Sequence, residues 1–383
     1  MAGIAHRAPE AIGLDPDRLE HLRALVRSAI AEGIFPGAVV LVGRAHRVGW
    51  LEAFGYAQVV PYRRPMRPNA IFDLASLTKV LGTLPVLLRL VQEGRLDLDT
   101  PVGRILDEFS GEGRERITLR HLLAHTSGLP AWRPVYLDVQ PGSDRQAVLR
   151  VLCRVHLQHA PGSMVVYSDL GFLLAGFLAE RITGERIDAL VRHFVSSPLG
   201  LQETTFCPPA ILRDRCVATE MGNRYERSLA GAVGEGFPWR EHVLVGEVHD
   251  GNAHYALEGI APHAGLFSTA EEVARIAERW LLADSWLDPA LLAEALRDQR
   301  RGAAGPPRGL GWLLHHEDAF FAPLGPRAFG HTGFTGTSVA IDPDRRLVVV
   351  LLTNRVHPHV NDDRITPFRG VFHEGVRDAL RDG

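Results

Sequence analysis

The sequence predicts an α/β fold in which one antiparallel sheet, built from both ends of the chain, is flanked by helices. Two β-rich segments occur early, GAVVLVG at 37–43 and RVGWLEAFGYA at 47–57. Another, SVAIDPDRRLVVVLLTN at 338–354, occurs close to the end. Between them, from Ser76 to about residue 205, apolar residues recur with the period of a helix. The simplest arrangement that satisfies this order is one sheet with a mostly helical domain inserted into it.

This pattern also suggests domain limits. We expect residues 1–80 and 262–383 to form the α/β domain, and residues 81–261 to form the inserted helical domain. A cleft between two such parts is a common place for a small-molecule site. We therefore expect the active site to lie between the two domains.

The first element in the chain is a helix with a clear start signal. Asp15 is expected to be its N-cap and Pro16 its first residue, because a short acceptor side chain followed by proline is typical of a helix start. The helix then runs through LEHLRALVRSAIAEG and ends at a glycine. The two early strands follow, separated by a short turn.

The remaining elements vary in how clearly the sequence defines them. A helix is expected to begin at Ser76, whereas the Gly-, Pro- and His-rich segment 206–260 gives no clear pattern. Another helix is expected in STAEEVARIAERWLLA, where Ser268 and Glu271 fit a capping box. RGLGWLLHH, at 308–316, is expected to be β-structure, the DPDR turn joins two later strands, and a helix closes the chain.

Composition excludes several classes of function. The chain has 383 residues and a net charge of −3, with its basic residues scattered, which argues against nucleic acid or a membrane surface as a partner. Three irregularly spaced cysteines make a poor disulfide framework, although a 207–216 bridge is conceivable. No signal peptide or membrane span is evident. We expect a cytoplasmic enzyme with a small-molecule substrate and no cofactor, and leave its oligomeric state open.

The motif SLTK, at 76–79, contains the only lysine of the chain among 42 basic residues. On a helix, Ser76 and Lys79 lie on one face, so the hydroxyl and the amine are expected to be neighbours. A serine hydroxyl needs a neighbouring base to become a nucleophile. Arginine stays protonated and cannot be that base, whereas lysine can give and take a proton. The pair therefore predicts nucleophilic catalysis, although S-x-x-K alone also occurs by chance.

Two further motifs support this hypothesis. YSD, at 167–169, precedes an apolar helix, and a tyrosine held near a lysine ammonium can serve as a general base because the cation favours the phenolate. HTG, at 331–333, enters a strongly β-patterned run. A strand edge there can supply a backbone N–H to an oxyanion hole. Taken singly, the first motif could be only a capped helix start and the second only a hairpin turn.

Together, these three motifs resemble the serine β-lactamase and penicillin-binding protein superfamily, closest to class C β-lactamases and related esterases. ITLRHLLAHTSGLP and HAGLFSTAEEVARIAERW are also similar to that group. The resemblance covers roughly residues 15–375. It implies the β-lactamase/transpeptidase-like fold and a serine hydrolase that works through an acyl-enzyme.

The resemblance also implies a role for each motif residue. Ser76 would be the acylated nucleophile, and Lys79 would take or relay its proton. Tyr167 would activate the hydroxyl and later the water, or protonate the leaving group. The backbone N–H groups of Ser76 and Phe334 would form the oxyanion hole. The substrate-binding set would consist of His331, Thr332, Gly333 and Asp169.

Two positions depart from the pattern of that superfamily. Asp169 stands where asparagine is usual, and a carboxylate beside Lys79 favours the ammonium, which favours Tyr167 as the base. Asp169 is also a poor partner for an acyl-amide carbonyl, which needs a donor. His331 stands where a permanently charged lysine is usual, and histidine is mostly neutral at pH 7. The loss of a permanent positive charge at position 331 weakens β-lactam binding. It does not exclude such binding, since histidine also occurs at this motif position in penicillin-recognising enzymes.

Several functions fit these motifs. Carboxylic esters are the first expected substrates, with weak β-lactam hydrolysis as an addition. An amidase or D-amino-acid peptidase acting on cell-wall fragments is the alternative, because 246–268 is similar to a subgroup associated with muropeptide processing. A non-catalytic binding or sensing relative is a third. A metal site would need the loop residues His242, His249, His254, His263 and Asp250, which lack a compact ligand spacing, so we expect no metal.

Overall fold

The computed structural model describes residues 4–140, 142–282, 286–360 and 362–381. Residues 1–3 and 382–383, at the two ends of the predicted α/β domain, lie outside the described residues. So does Ala283, at the end of a predicted helix. The described chain has the predicted fold class, a mainly antiparallel sheet flanked by helices. The division into two domains stays a prediction.

The strands are short except where the two chain ends meet. In chain order they are β1 (Ala5–His6), β2 (Gly37–Arg44), β3 (Arg47–Gln58), β4 (Arg64–Pro65), β5 (Phe72–Asp73), β6 (Thr205–Phe206), β7 (Ala218–Met221), β8 (Val243–Val245), β9 (Leu266–Ser268), β10 (Leu313–Leu314), β11 (Phe329–Thr332), β12 (Ser338–Asp342) and β13 (Leu347–Thr353).

The α-helices are α1 (Pro16–Ala31), α2 (Leu84–Gln92), α3 (Leu119–Leu123), α4 (Arg145–Cys153), α5 (Asp169–Thr183), α6 (Ile187–Val191), α7 (Ser197–Leu199), α8 (Ala210–Arg213), α9 (Arg224–Ala230), α10 (Ala270–Glu278), α11 (Pro289–Ala295) and α12 (Ile365–Ala379). Wider π-helical turns occupy Lys79–Thr83, Arg192–Ser196 and Asn252–Ala256. Short 3₁₀ turns occupy Pro9–Ile12, Val102–Arg104, Arg114–Arg116, Val135–Leu137, Gly231–Gly234, Arg279–Leu281 and Ala322–Leu324.

The main sheet joins the two ends of the chain. Its strand order among the described residues is β1-β3-β2-β13-β12-β11-β10, with β4 paired to β3. The central pair is β2 with β13, antiparallel, with Ala38 opposite Thr353 and Arg44 opposite Leu347. The short β1 runs parallel to β3 and is the exception. The prediction of one sheet built from both ends is confirmed.

Both faces of this sheet are covered. On β2, Val40 and Val42 pack in the core shared with α1 and α12, whereas Val39 and Leu41 pack in the larger core shared with α2 and α5. This alternation follows from the strand period of two, which sends successive side chains to opposite faces. It explains why β2 is apolar throughout rather than alternating with polar residues.

Some predicted element boundaries are confirmed and others are wrong. Asp15 caps α1, with its carboxylate accepting the N–H groups of Asp17 and Arg18. The prediction that Ser268 caps the next helix is wrong by one residue. Ser268 belongs to β9, and the N-cap of α10 is Thr269, whose side chain accepts the N–H of Glu272.

Predicted β-structure at 308–316 is reduced to β10, because Gly309 and Gly311 interrupt the run and Gly311 has a φ of +75°. A Cys207–Cys216 bridge is absent, since both thiols are free. Within the described ranges, no helix has the length and apolar content needed to cross a bilayer.

Candidate active site

Ser76 lies in the turn between β5 and the helical segment that begins at Leu77. The residue before it, Ala75, has a φ of +46°, a conformation that is strained for a residue with a side chain. Asp73 holds this turn, because its Oδ1 accepts the N–H of Ala75 at 2.9 Å. Ser76 is only partly buried and lines a cavity of about 530 Å³. The nucleophile predicted from the sequence is therefore accessible.

Lys79 is fully buried directly below Ser76. Its ammonium donates to the Ser76 Oγ at 2.9 Å and to the backbone oxygen of His263 at 3.3 Å. Its Nζ also lies 2.7 Å from the Asp169 Oδ1. An ammonium has three N–H donors, and three acceptors surround this one. The structure thus brings Ser76, Lys79 and Asp169 together.

The charge state of Lys79 follows from these neighbours. Burial alone lowers the pKa of Lys79, but the Asp169 carboxylate and Tyr167 outweigh it, so that the pKa is raised above its ordinary value. Lys79 is therefore an ammonium in the resting site and holds no free lone pair. Another group has to accept the first proton from Ser76.

Tyr167 lies beside this ammonium. The Lys79 Nζ is 4.9 Å from the centre of its ring, and the Arg308 guanidinium is 5.4 Å from the same point. The ring also packs against His125 at 4.6 Å and His331 at 5.7 Å. Its hydroxyl is buried and has no hydrogen-bond partner within the described part of the chain. Two cations therefore lie next to the phenol that the sequence analysis assigns as general base.

The predicted oxyanion donors are available. Neither the backbone N–H of Ser76 nor that of Phe334 donates to an acceptor among the residues that the structure describes. Both residues line the same cavity. Unpartnered N–H groups at the mouth of a cavity can stabilise a developing oxyanion.

Phe334 is held from several sides. The Arg355 Nε donates to its backbone oxygen at 2.8 Å, and the guanidinium lies 4.7 Å from its ring centre. Its ring also packs against Tyr225 at 5.0 Å and stacks on His249 at 5.6 Å. These contacts fix the position of the Phe334 backbone, and with it the direction of its N–H.

The end of β11 is tied to the turn that carries Ser76. Thr335 and Thr337 donate through their hydroxyls to the backbone oxygens of Asp73 and Leu74, at 2.8 and 3.0 Å. Gly333 allows this approach, because a Cβ there would be 2.1 Å from the Thr337 Oγ1 and 2.4 Å from the Leu74 oxygen. The third motif and the nucleophile therefore form one connected unit.

His331 is neutral in this site. Its Nδ1 lies 2.8 Å from the backbone oxygen of the neighbouring Thr332, so Nδ1 carries the hydrogen and Nε2 is an acceptor. Burial, followed by the nearby charges of Arg308 and Lys79, holds the pKa of His331 well below its ordinary value. His331 thus supplies no positive charge for a substrate carboxylate.

Arginines that the sequence analysis did not single out line the same cavity. Arg369 is buried and Arg308 is partly buried, and neither forms an ion pair with a carboxylate among the described residues. The Nε atom of each is buried and lacks a hydrogen-bond partner there. Arg369 donates to the backbone oxygen of Thr337 at 3.0 Å. Burial, with the charge of Arg355, lowers the pKa of Arg369 to about 9. Two guanidinium groups thus line the cavity, and that of Arg308 lies beside Tyr167.

One cluster of two aspartates and a histidine has the ligand types that could hold a cation. Within the described ranges, ligand atoms of Asp169, Asp250 and His263 lie within 4.8 Å of one another, and the Asp250 Oδ1 lies 3.0 Å from the His263 Nε2. The Lys79 ammonium already contacts Asp169, so a cation is present there from the chain itself. Three histidines of the alternative metal set lie outside this group: His242, His249 and His254.

The sequence predicted the three motifs but not the residues that contact and position them. Arg308, Arg369 and Thr337 carry no local pattern that marks them, since each acts on residues far away in the sequence. The threonines within HTGFTGTS could have suggested hydroxyl contacts to a neighbouring segment. The HTSG phrase likewise contained His125, which packs on Tyr167.

A family model and several curated proteins are similar to this chain. A family model described as Beta-lactamase matches residues 22–372. The "N-acetylmuramyl-L-alanine amidase" of Bacillus subtilis is 33% identical over 376 residues, which cover 91% of this chain and 84% of that relative. A "Putative D-alanyl-D-alanine carboxypeptidase" of Salmonella agona is 29% identical over 98% of this chain and 91% of its own length.

Solved structures have the same fold. "EstCE1, a hydrolase with promiscuous acyltransferase activity" matches with a TM-score of 0.73 at 24% identity, over 94% of this chain and 98% of its own. A penicillin-binding protein homologue from Caulobacter crescentus matches with a TM-score of 0.73 at 22% identity, over 96% of this chain and 99% of its own. At these identities the likeness establishes the fold alone.

Proposed function

Since the chain belongs to the beta-lactamase family and is a serine hydrolase, we propose that it cleaves amide bonds in cell-wall peptide fragments whose departing amine carries a carboxylate. The observation that carries this proposal is the partly buried Arg308 guanidinium, which lines the cavity, has no carboxylate partner among the described residues and lies 5.4 Å from the centre of the Tyr167 ring. Arginine binds carboxylates with directed, charge-assisted hydrogen bonds.

The side of the cavity on which Arg308 lies identifies the substrate part that it binds. Tyr167 is the group that returns a proton to the departing amine in this proposal, so the departing amine lies next to Tyr167. A carboxylate on that amine then faces Arg308, and Arg369 lines the same cavity. His331 cannot provide this charge because it is neutral, so arginine takes the role that lysine has elsewhere in the family.

The proposed reaction has two halves. Tyr167, as phenolate, takes the proton of Ser76 while Oγ attacks the amide carbonyl, and the N–H groups of Ser76 and Phe334 bind the oxyanion. The intermediate collapses, the carbon–nitrogen bond breaks, and the Tyr167 proton passes to the departing nitrogen. Water then attacks the acyl-enzyme while Tyr167 takes one of its protons. The bond between the acyl carbon and the Ser76 Oγ breaks, Tyr167 returns the proton to Oγ, and the acid is released. Lys79 stays an ammonium throughout and stabilises the phenolate.

The name of the Bacillus subtilis relative suggests the first substrate to test, the amide between N-acetylmuramic acid and L-alanine. The name of the Salmonella relatives suggests the second, a D-alanyl-D-alanine peptide. In N-acetylmuramoyl-L-alanine and in a peptide that ends in D-alanyl-D-alanine, the departing amino acid carries a free carboxylate one carbon away from the scissile nitrogen, where this proposal needs it to meet Arg308.

The test compares N-acetylmuramoyl-L-alanine with N-acetylmuramoyl-L-alaninamide, which share the scissile bond and differ in one carboxylate. We expect kcat/KM for the acid to be higher by about tenfold or more, since hydrogen bonds to charged groups contribute about 1.5–3 kcal/mol. In Arg308→Met this preference should disappear, whereas Arg327→Met, at an exposed position, should keep it. Equal rates for acid and amide in the wild type would contradict the proposal.

Carboxylic esters are the second candidate substrates. The neutral His331 favours them, because an ester with an uncharged alcohol needs no cation at that position. Turnover of p-nitrophenyl acetate at a rate above that of the muramoyl amide would favour this candidate. Ser76→Ala is the control for both substrates, and failure of a fluorophosphonate to label the folded wild type would instead favour a binding or sensing role. Cytoplasmic location stays a prediction, to be tested by cell fractionation.

A further inference from the structure

We propose that His125 is the positioning residue that sets the place of the Tyr167 side chain. The proposal rests on the role of Tyr167 as general base given above. His125 contacts both chain neighbours of Tyr167 and the tyrosine ring itself, through its backbone oxygen on one side and its imidazole ring on the other. It touches no reacting atom, so its action on the reaction passes through Tyr167.

The contacts enclose Tyr167 from both directions along the chain. The backbone oxygen of His125 accepts the N–H of Val166 at 2.9 Å. The His125 Nδ1 accepts the N–H of Ser168 at 2.9 Å. The imidazole ring packs on the Tyr167 ring, with 4.6 Å between ring centres. One residue thus fixes the backbone on each side of the tyrosine and limits where its ring can turn.

The contact with Ser168 is the most specific of the three. Ser168 is buried, and its hydroxyl is already used, since it donates to the Pro130 oxygen and accepts the N–H of Gly171 at the start of α5. Its own N–H is therefore left to the His125 ring. Removing the ring acceptor would leave a buried donor unpaired, a state that chains avoid by shifting the backbone. Such a shift would move Tyr167, which directly precedes Ser168 in the chain.

The same geometry requires a neutral imidazole with its hydrogen on Nε2. Burial, followed by the charges of Arg308 and Lys79, holds the pKa of His125 well below its ordinary value, so Nδ1 remains an acceptor. The groups facing the Tyr167 ring are then two cations, Lys79 and Arg308, and two neutral imidazoles, His125 and His331. Of these, His125 is the one that also binds the flanking backbone.

The test uses two variants of similar shape. His125→Asn keeps an acceptor near the Nδ1 position, and asparagine tolerates the φ of +59° found there. His125→Leu has nearly the same outline without an acceptor. With p-nitrophenyl acetate, we expect kcat of the leucine variant to fall by about 10- to 100-fold with KM changed little, and the asparagine variant to recover most of that loss.

A second readout separates positioning from stability. Labelling of Ser76 by a fluorophosphonate should slow in parallel with kcat in the leucine variant, and the pH dependence of labelling should change. If both variants only lower Tm, while folded protein labels at the wild-type rate and pH dependence, the proposal is overturned. If Tyr167→Phe retains full activity, the base assignment fails instead, whatever His125 does.

A measurement on the wild type covers the case in which the leucine variant does not fold. Nitrogen-15 NMR of the histidine rings should show His125 as the Nε2–H tautomer from about pH 5 to pH 9. A protonated ring, or a hydrogen on Nδ1, would overturn the proposal, because neither form can accept the N–H of Ser168.

Discussion

The Lys79 ammonium is chemically unlike any other cation in this chain, in which all other basic residues are arginines. It donates to Ser76 and the His263 carbonyl and contacts Asp169, within a fully buried space. A compact ammonium can reach three acceptors in different directions, whereas a guanidinium is planar and larger. If only a positive charge were needed, arginine could stand at this position. The shape of the site requires lysine.

Replacing Lys79 by arginine therefore tests shape against charge. We expect Lys79→Arg to lose about 100-fold or more in kcat although the positive charge is kept, because the guanidinium cannot occupy the same three-acceptor position. Steady-state turnover and fluorophosphonate labelling measure the loss, with circular dichroism as the check on folding. Activity close to wild type would show that only charge matters at this position.

Asp169 can be tested by the pH dependence of the rate. Its carboxylate raises the pKa of Lys79, so Asp169→Asn should lower that pKa. If the ammonium is the active form, activity is lost as the pH rises through the pKa of Lys79. The alkaline limb of the kcat/KM profile should therefore move to lower pH in the variant. An alkaline limb that does not move, measured over pH 6 to 11, would exclude Lys79 as the titrating group.

At the scale of elements, the end of β11 and the turn after β5 act as one piece. Two threonine hydroxyls and the absence of a side chain at Gly333 let the strand end approach the Leu74 oxygen. This contact sets the distance between the two proposed oxyanion donors, since one belongs to each element. The π-helical turn Lys79–Thr83 follows directly, a feature often found at functional sites.

A methyl group at Gly333 would force these elements apart. We expect Gly333→Ala to reduce kcat by about tenfold or more and to destabilise the fold by about 1–3 kcal/mol, the usual cost of overpacking. The matched control is Gly370→Ala in α12, where an added Cβ would meet no atom within 4 Å. That variant should keep its activity and equal or exceed wild-type stability. Thermal unfolding and turnover of both proteins give the comparison.

At the scale of the whole molecule, the candidate site combines charges from distant parts of the chain. Lys79 follows β5, Asp169 begins α5, Arg308 precedes β10 and Arg369 lies in α12. Acidic groups lie around the ammonium and basic groups lie near the proposed carboxylate site. The pairing of β2 with β13 makes this possible, because it brings the last third of the chain beside the first.

This charge balance predicts that the enzyme needs no added cation. The Lys79 Nζ lies 2.7 Å from Asp169, within the group of oxygen and nitrogen atoms that would otherwise suit a metal. Prolonged dialysis against EDTA should leave kcat and KM within about twofold of the untreated enzyme. Loss of activity that returned on adding a divalent cation would show that the site is incomplete without a metal.

The sequence by itself determined the strands at both ends, the cap of α1 at Asp15 and the three motifs, because these depend on neighbours within a few residues. It placed the cap of α10 one residue early, since the competing strand β9 was invisible locally. It gave no structure for 206–260, where short elements alternate without a period.

Only the tertiary structure decided how the site works. Asp169 contacts Lys79, Arg308 lies beside Tyr167, and the His125 ring accepts the N–H of Ser168. The two residues of each pair are between 43 and 141 positions apart in the sequence. No local pattern encodes such pairs, because they arise from the packing of whole elements against one another. The chemistry was readable from residue types, and its geometry was set by the fold.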